Sequence, residues 1–202
     1  RSGAAAGTLM AVLVYFFALG AGFMLLEVGL IHRTIVFVGS PGAAVSVVIA
    51  SILSSSGLGS LASDRVRCSA VRSLVFALVG LLAVGAFYQL GASALFDALF
   101  RLPTWARGLT ASLALAPAGF FAGWFFPVGL RVASARSEAL VPWAIAVNGF
   151  ASVLGSLATL SLGVSFGFRR VFLVALVGYV LAVCLVLPVA LRAGRPVVPA
   201  ET

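Results

Sequence analysis

The chain is 202 residues long, 62% hydrophobic and only 9% charged, with a formal net charge of +8. Soluble domains carry about 25% charged residues, so there are too few charges here to build a water-facing surface, and a lipid bilayer is the solvent that fits. All 13 basic residues are arginine, and they sit between apolar runs, which argues against a nucleic-acid footprint and marks them as orientation signals.

A helix needs about 20 apolar residues to cross the hydrocarbon core. Six stretches qualify, at about 8–31, 42–62, 73–90, 109–130, 142–166 and 171–191. The expected fold is all-α, a polytopic membrane bundle of about six transmembrane helices forming one module over 1–202. The chain opens Arg1-Ser2-Gly3 without an initiator methionine, which leads to the expectation of a processed product or part of a longer protein or complex.

The first span carries Glu27 about one turn before its expected end. A carboxylate facing lipid there is costly, so Glu27 is expected to face protein, with His32 and Arg33, just past the helix, as its partners. Two readings stand: a proton, cation or amine site, or a salt bridge pinning the loop onto the bundle. The second span holds Ser51, Ser54, Ser55, Ser56, Gly57, Gly59 and Ser60, a small and polar patch. It is either a tight helix crossing or an unwound binding segment. A polar loop with Asp64, Arg65, Arg67, Cys68 and Arg72 leads into the third span.

Between the third and fourth spans, Leu95, Phe96, Leu99, Phe100 and Leu102 follow helical spacing, with Asp97 and Arg101 at i and i+4 on the other face. This predicts a short interfacial helix with Trp105 near headgroup depth. Pro117 is expected to kink the fourth span. In the fifth span Asn148, Ser152 and Ser156 share one face, and Ala151, Gly155 and Thr159 form the adjacent small stripe. Such stripes let helices approach closely and hydrogen-bond across. Gly167 to Arg170 reads as a tight turn before the sixth span, which contains Cys184.

With the N-terminus in the cytoplasm, the inner segments hold Arg1, Arg65, Arg67, Arg72, Arg131, Arg136, Arg192 and Arg195. The outer ones hold Arg33, Arg101, Arg107, Arg169 and Arg170. The excess predicts both termini inside, in a bacterial cytoplasmic membrane. One histidine and two cysteines at different depths supply neither a zinc site nor a disulfide. No Walker motif, strand-linked glycine loop, carboxylate pair or nucleophile elbow is present. No catalytic residue, metal or cofactor is therefore assigned.

The run Gly20 to Arg33 resembles a motif of bacterial membrane proteins of the spermidine-synthase-like family. Gly39 to Val48, Ser54 to Ser60, Phe126 to Arg131, Pro142 to Gly149, Ser152 to Ser156 and Gly167-Phe168 follow in the family's order. The chain departs from it at His32, where glutamine is expected. The resemblance implies a C-terminal membrane half that follows a soluble aminopropyltransferase-like domain, which this chain lacks together with its catalytic residues.

The first functional expectation is a non-catalytic module that anchors or scaffolds a spermidine-synthase-like protein or a larger membrane complex. Its partners are then lipid, other membrane helices or subunits, and a soluble aminopropyltransferase-like domain. Alternatives are half of a transporter for a polyamine or other cation, and the membrane part of an aminopropyltransferase-like enzyme. The polar positions singled out are Glu27, His32, Arg33 and Asn148. Those assigned to helix packing are Ser54, Gly57, Gly59, Ser152, Gly155 and Ser156.

Overall fold

The computed structural model describes residues 2–66 and 68–193. Arg1, Arg67 and Arg195, three of the arginines expected on the inner side, lie outside the described residues. The described chain is all-helical: α1 (Ser2–Val38), α2 (Pro41–Arg65), α3 (Ala70–Leu90), α4 (Ala92–Ala98), α5 (Thr104–Ser134), α6 (Leu140–Phe166) and α7 (Phe168–Ala193). Six of these are long and apolar enough to span a bilayer, and α4 is the short helix between the third and fourth of them. Large apolar side chains such as Val79, Leu113, Phe150 and Val164 stand exposed. That is costly in water and natural against lipid tails, so the chain is a multi-pass membrane protein.

Helix ends depart from the expected ones for local reasons. The stretch from His32 is no loop: α1 continues to Val38 and breaks at Gly39, whose φ of +83° only glycine adopts cheaply. Pro41 then starts α2, where its missing N–H is harmless. Gly167, with φ +84°, alone joins α6 to α7. The helix expected through Leu102 ends at Ala98, so Asp97 and Arg101 do not share a helical face. Both Pro117 and Pro127 lie within the continuous α5. The serine-rich stretch of α2 is helical throughout, which overturns the unwound alternative.

The core surrounds α1, whose Tyr15, Phe16, Leu26 and Leu30 are fully buried against α5, α7 and their neighbours. Contacts run in register along two parallel pairs. Val47, Ser56 and Asp64 of α2 meet Gly108, Gly123 and Arg131 of α5. Phe16 and Ala21 of α1 meet Asn148 and Gly155 of α6. Both crossings are closed by small residues, as helix association in lipid requires.

These pairings reveal an internal symmetry. Exchanging α1 with α5, α2 with α6 and α3 with α7 turns the α2–α5 contact into α6–α1, and α1–α7 into α5–α3. Short stretches of the paired helices correspond. Val28-Gly29-Leu30 matches Val128-Gly129-Leu130. The buried face of α2, with Ala44, Ser55, Gly59 and Ser63, corresponds to that of α6, with Ala144, Gly155, Thr159 and Gly163. Ala77-Leu78-Val79-Gly80 matches Ala175-Leu176-Val177-Gly178. Each unit has three spans, an odd number, so the second unit runs through the membrane in the opposite sense to the first. The arrangement is an inverted repeat.

The symmetry extends to the helix ends. Arg33, in the last turns of α1, donates to the Tyr88 carbonyl in the last turn of α3 at 3.0 Å. Arg136, just after α5, donates to the Val189 carbonyl near the end of α7 at 3.1 Å. Arg107 and Arg131 likewise reach the Phe37 and Ser63 carbonyls, near the ends of α1 and α2. The last four carbonyls of a helix lack intrahelical donors and carry the negative end of its dipole. Tyr88, Phe37 and Ser63 are among these end carbonyls and receive arginine donors, while Val189 lies one position inside the last turn of α7.

Candidate functional site

A cavity of about 320 Å3 lies where α1, α2, α5 and α6 meet, with α7 behind it. These four helices form the junction between the two inverted units, and Gly20 and Phe23 set the cavity at the middle of α1. Ser56 and Ser60 line it from α2, Gly123 and Phe126 from α5, and Asn148 and Ser152 from α6. Leu53 and Gly57, also on its wall, are exposed at the bundle surface.

The hydrogen-bonding capacity of this wall is only partly used. Asn148 donates from Nδ2 to the Phe16 carbonyl at 3.1 Å, while its amide oxygen has no partner among the described residues. Ser56 and Ser152 turn their hydroxyls back onto their own helices, to Leu53 and Asn148 carbonyls at 3.1 and 2.9 Å. Pro127 also lines the cavity and has no N–H to give to the Gly123 carbonyl one turn earlier. Tyr179, 1% exposed, reaches the wall from α7 and makes no hydrogen bond through its hydroxyl among the described residues. No lining side chain carries a formal charge at neutral pH. The site therefore offers neutral acceptors, the Asn148 amide oxygen and the Gly123 carbonyl, and hydroxyls that can also donate, at Tyr179 and Ser60, between the aromatic faces of Phe23 and Phe126.

The polar residues singled out in the sequence are not gathered in one place. Only Asn148 lines the cavity. Glu27 is buried, at 8% exposure, yet no ion pair or hydrogen bond joins it to His32 or Arg33. That expected pairing fails because α1 continues past both residues. His32 stacks on Phe168 with ring centroids 3.7 Å apart and shares a 3.0 Å hydrogen bond with the Val28 carbonyl. Arg33 is drawn to the end of α3. The ion pair present among the described residues joins Asp64 to Arg131.

Among the packing positions, Gly59 and Gly155 are buried, Ser152 and Ser156 half-buried, and Ser54 and Gly57 exposed. The hydroxyls of Ser152, Ser156 and Thr159 bond within α6 and not across to another helix. Asn148 makes the crossing bond. Sequence reasoning missed Tyr15, whose buried hydroxyl bonds the Phe125 carbonyl at 2.8 Å, and Tyr179. Their available signal was a phenol in the middle of an apolar run. A scan of protein-family models, a search of curated proteins and a search of solved structures each returned no match for this chain.

Proposed function

We propose that this chain is a transport-type membrane module that holds a small, neutral polar solute in the cavity between its two inverted units. The observation that carries this reading is the inverted repeat with a cavity holding uncommitted polar groups at its junction, midway along α1. In membrane transporters such repeats exchange exposure of a central site by rocking against one another. The cavity wall lacks a carboxylate, so a polyamine would depend on an acid outside the lining.

The test uses Ser152→Cys in a background with Cys68 and Cys184 replaced by serine, reconstituted in vesicles. A small membrane-impermeant thiol reagent is expected to modify residue 152 from either face. Modification from one face only under all conditions, or from neither, overturns the reading.

Exposed Ser54 and Gly57 favour a second reading, that of an anchor in a larger assembly. A Cβ at Gly57 meets nothing within 4 Å, so this small face of α2 is free to receive another helix. The spermidine-synthase-like resemblance makes a soluble aminopropyltransferase-like domain the natural cargo. In the anchor reading Gly57→Leu reduces the native mass of the purified assembly while the module stays folded.

We place the module in a bacterial cytoplasmic membrane with both termini inside, on the arginine distribution. Cysteine at Ser69 is then reactive only from the cytoplasmic face, and cysteine at Ser93 only from the outside. The reverse pattern refutes the orientation.

A further inference from the structure

Glu27 is a buried acid that the fold leaves without a partner. It is 8% exposed, and among the described residues it makes no hydrogen bond or ion pair. The spacing Phe16, Gly20, Phe23, Glu27 keeps one face of α1. Gly20 and Phe23 of that face line the cavity, so Glu27 follows the cavity wall by one helical turn. An ionised carboxylate at this position is largely withdrawn from solvent and has no counter-charge in contact among the described residues, which is unfavourable inside a membrane.

No charged group of a packed element makes a hydrogen bond or ion pair with Glu27 among the described residues, and most are committed elsewhere. On α1 itself, Arg33 is held by the Tyr88 carbonyl, and His32 lies against Phe168. α6 contains no ionisable residue. On α2, Asp64 and Arg65 lie at the opposite end, and Asp64 pairs with Arg131 of α5. Arg107, at the start of α5, bonds the Phe37 carbonyl. On α7, Arg169 is bound to Gln89 and Arg170 follows it at the helix start, Tyr179 lies at the cavity, Cys184 is exposed, and Arg192 is at the far end.

We propose that Glu27 is an exchangeable proton site that serves the cavity. One carboxyl oxygen forms an O–H bond with a proton delivered by water when the cavity is open, and returns that proton to water when the cavity opens again. This rests on the solute-cavity reading and adds its coupling ion, a proton.

Carbodiimides test it because they add to a carboxylic acid through its proton. Dicyclohexylcarbodiimide, which enters from lipid, is expected to leave an adduct on the peptide containing Glu27 in vesicle-reconstituted protein. Once the acid is mostly ionised, the yield falls by about tenfold per pH unit, following the protonated fraction. Glu27→Gln removes the adduct while helical content and elution volume are retained.

A water-soluble carbodiimide with glycine methyl ester is expected to form an amide at Glu27 in the unaltered chain. It should do so at least about fivefold less in Ser152→Phe, which fills the cavity. Absence of the lipid-borne adduct at every pH, or a yield indifferent to pH, overturns the proton site. Equal reaction of the water-soluble reagent in the filled variant separates Glu27 from the cavity and overturns its coupling role. Neither result decides the two-sided accessibility of residue 152, so the two readings fail independently.

Discussion

Gly59→Ala is expected to destabilise the bundle more than any other single-methyl change on α2. A Cβ at Gly59 would lie 2.0 Å from the Phe120 carbonyl oxygen and 2.9 Å from its carbon. Both atoms are backbone of α5, so no rotamer change relieves the clash and the helices must move apart. Overpacking of this kind costs typically about 1–3 kcal/mol, occasionally more. Gly155→Ala, at the equivalent crossing, meets the Ala21 Cα at 2.7 Å and is expected to act in the same direction. Gly57→Ala, two positions from Gly59, has open space around it. It is expected to stabilise by about 0.5–1 kcal/mol, the helix preference of alanine over glycine. Unfolding midpoints in mixed detergent check all three. A Gly59→Ala midpoint equal to or above that of Gly57→Ala would contradict the close α2–α5 crossing.

Removing either arginine latch should loosen one unit without melting the other. Arg33→Ala frees the Tyr88 carbonyl at the end of α3, and Arg136→Ala removes the second donor from the Val189 carbonyl near the end of α7. A hydrogen bond from a charged donor contributes about 1.5–3 kcal/mol, and the helix dipole adds to it. Arg33→Ala, at a half-buried arginine, is expected to lose about that much, and Arg136→Ala, at an exposed one, less. Hydrogen exchange should accelerate at residues 86–90 in the first and 185–190 in the second. The sites are at opposite ends of the molecule, so the double variant should show the sum. Exchange that spreads evenly through the bundle in either variant would show that the latch is not local.

Glu27 shows why a side chain's location was readable in the sequence while its partner was not. The cost of a carboxylate facing lipid is a property of one residue and one solvent, and it placed Glu27 inside. The pairing with Arg33 depended on where α1 stops. Gly39 sets that point, several residues later than hydropathy alone indicates, because His32 and Arg33 fit a helix whose end meets α3 and α7. The inverted repeat leaves only a faint trace in the sequence, as in Ala77–Gly80 and Ala175–Gly178. Its signal is a few residues per helix against a background in which every span is rich in Ala, Leu, Val and Gly. Helix pairings were needed to say which spans to align.

The sequence by itself determined the solvent, the number of spans, their approximate places and the all-helical fold. Each of these follows from the energy of single apolar runs and unpaired backbone groups in lipid, summed locally along the chain. Only the tertiary structure decided that α2 lies parallel to α5 and α1 to α6, that the arginines close the ends of neighbouring helices, and that a cavity remains where the two units meet. Those outcomes depend on which small faces fit together. Between apolar helices in lipid that choice is made by shape and a few polar contacts, which no hydropathy pattern records.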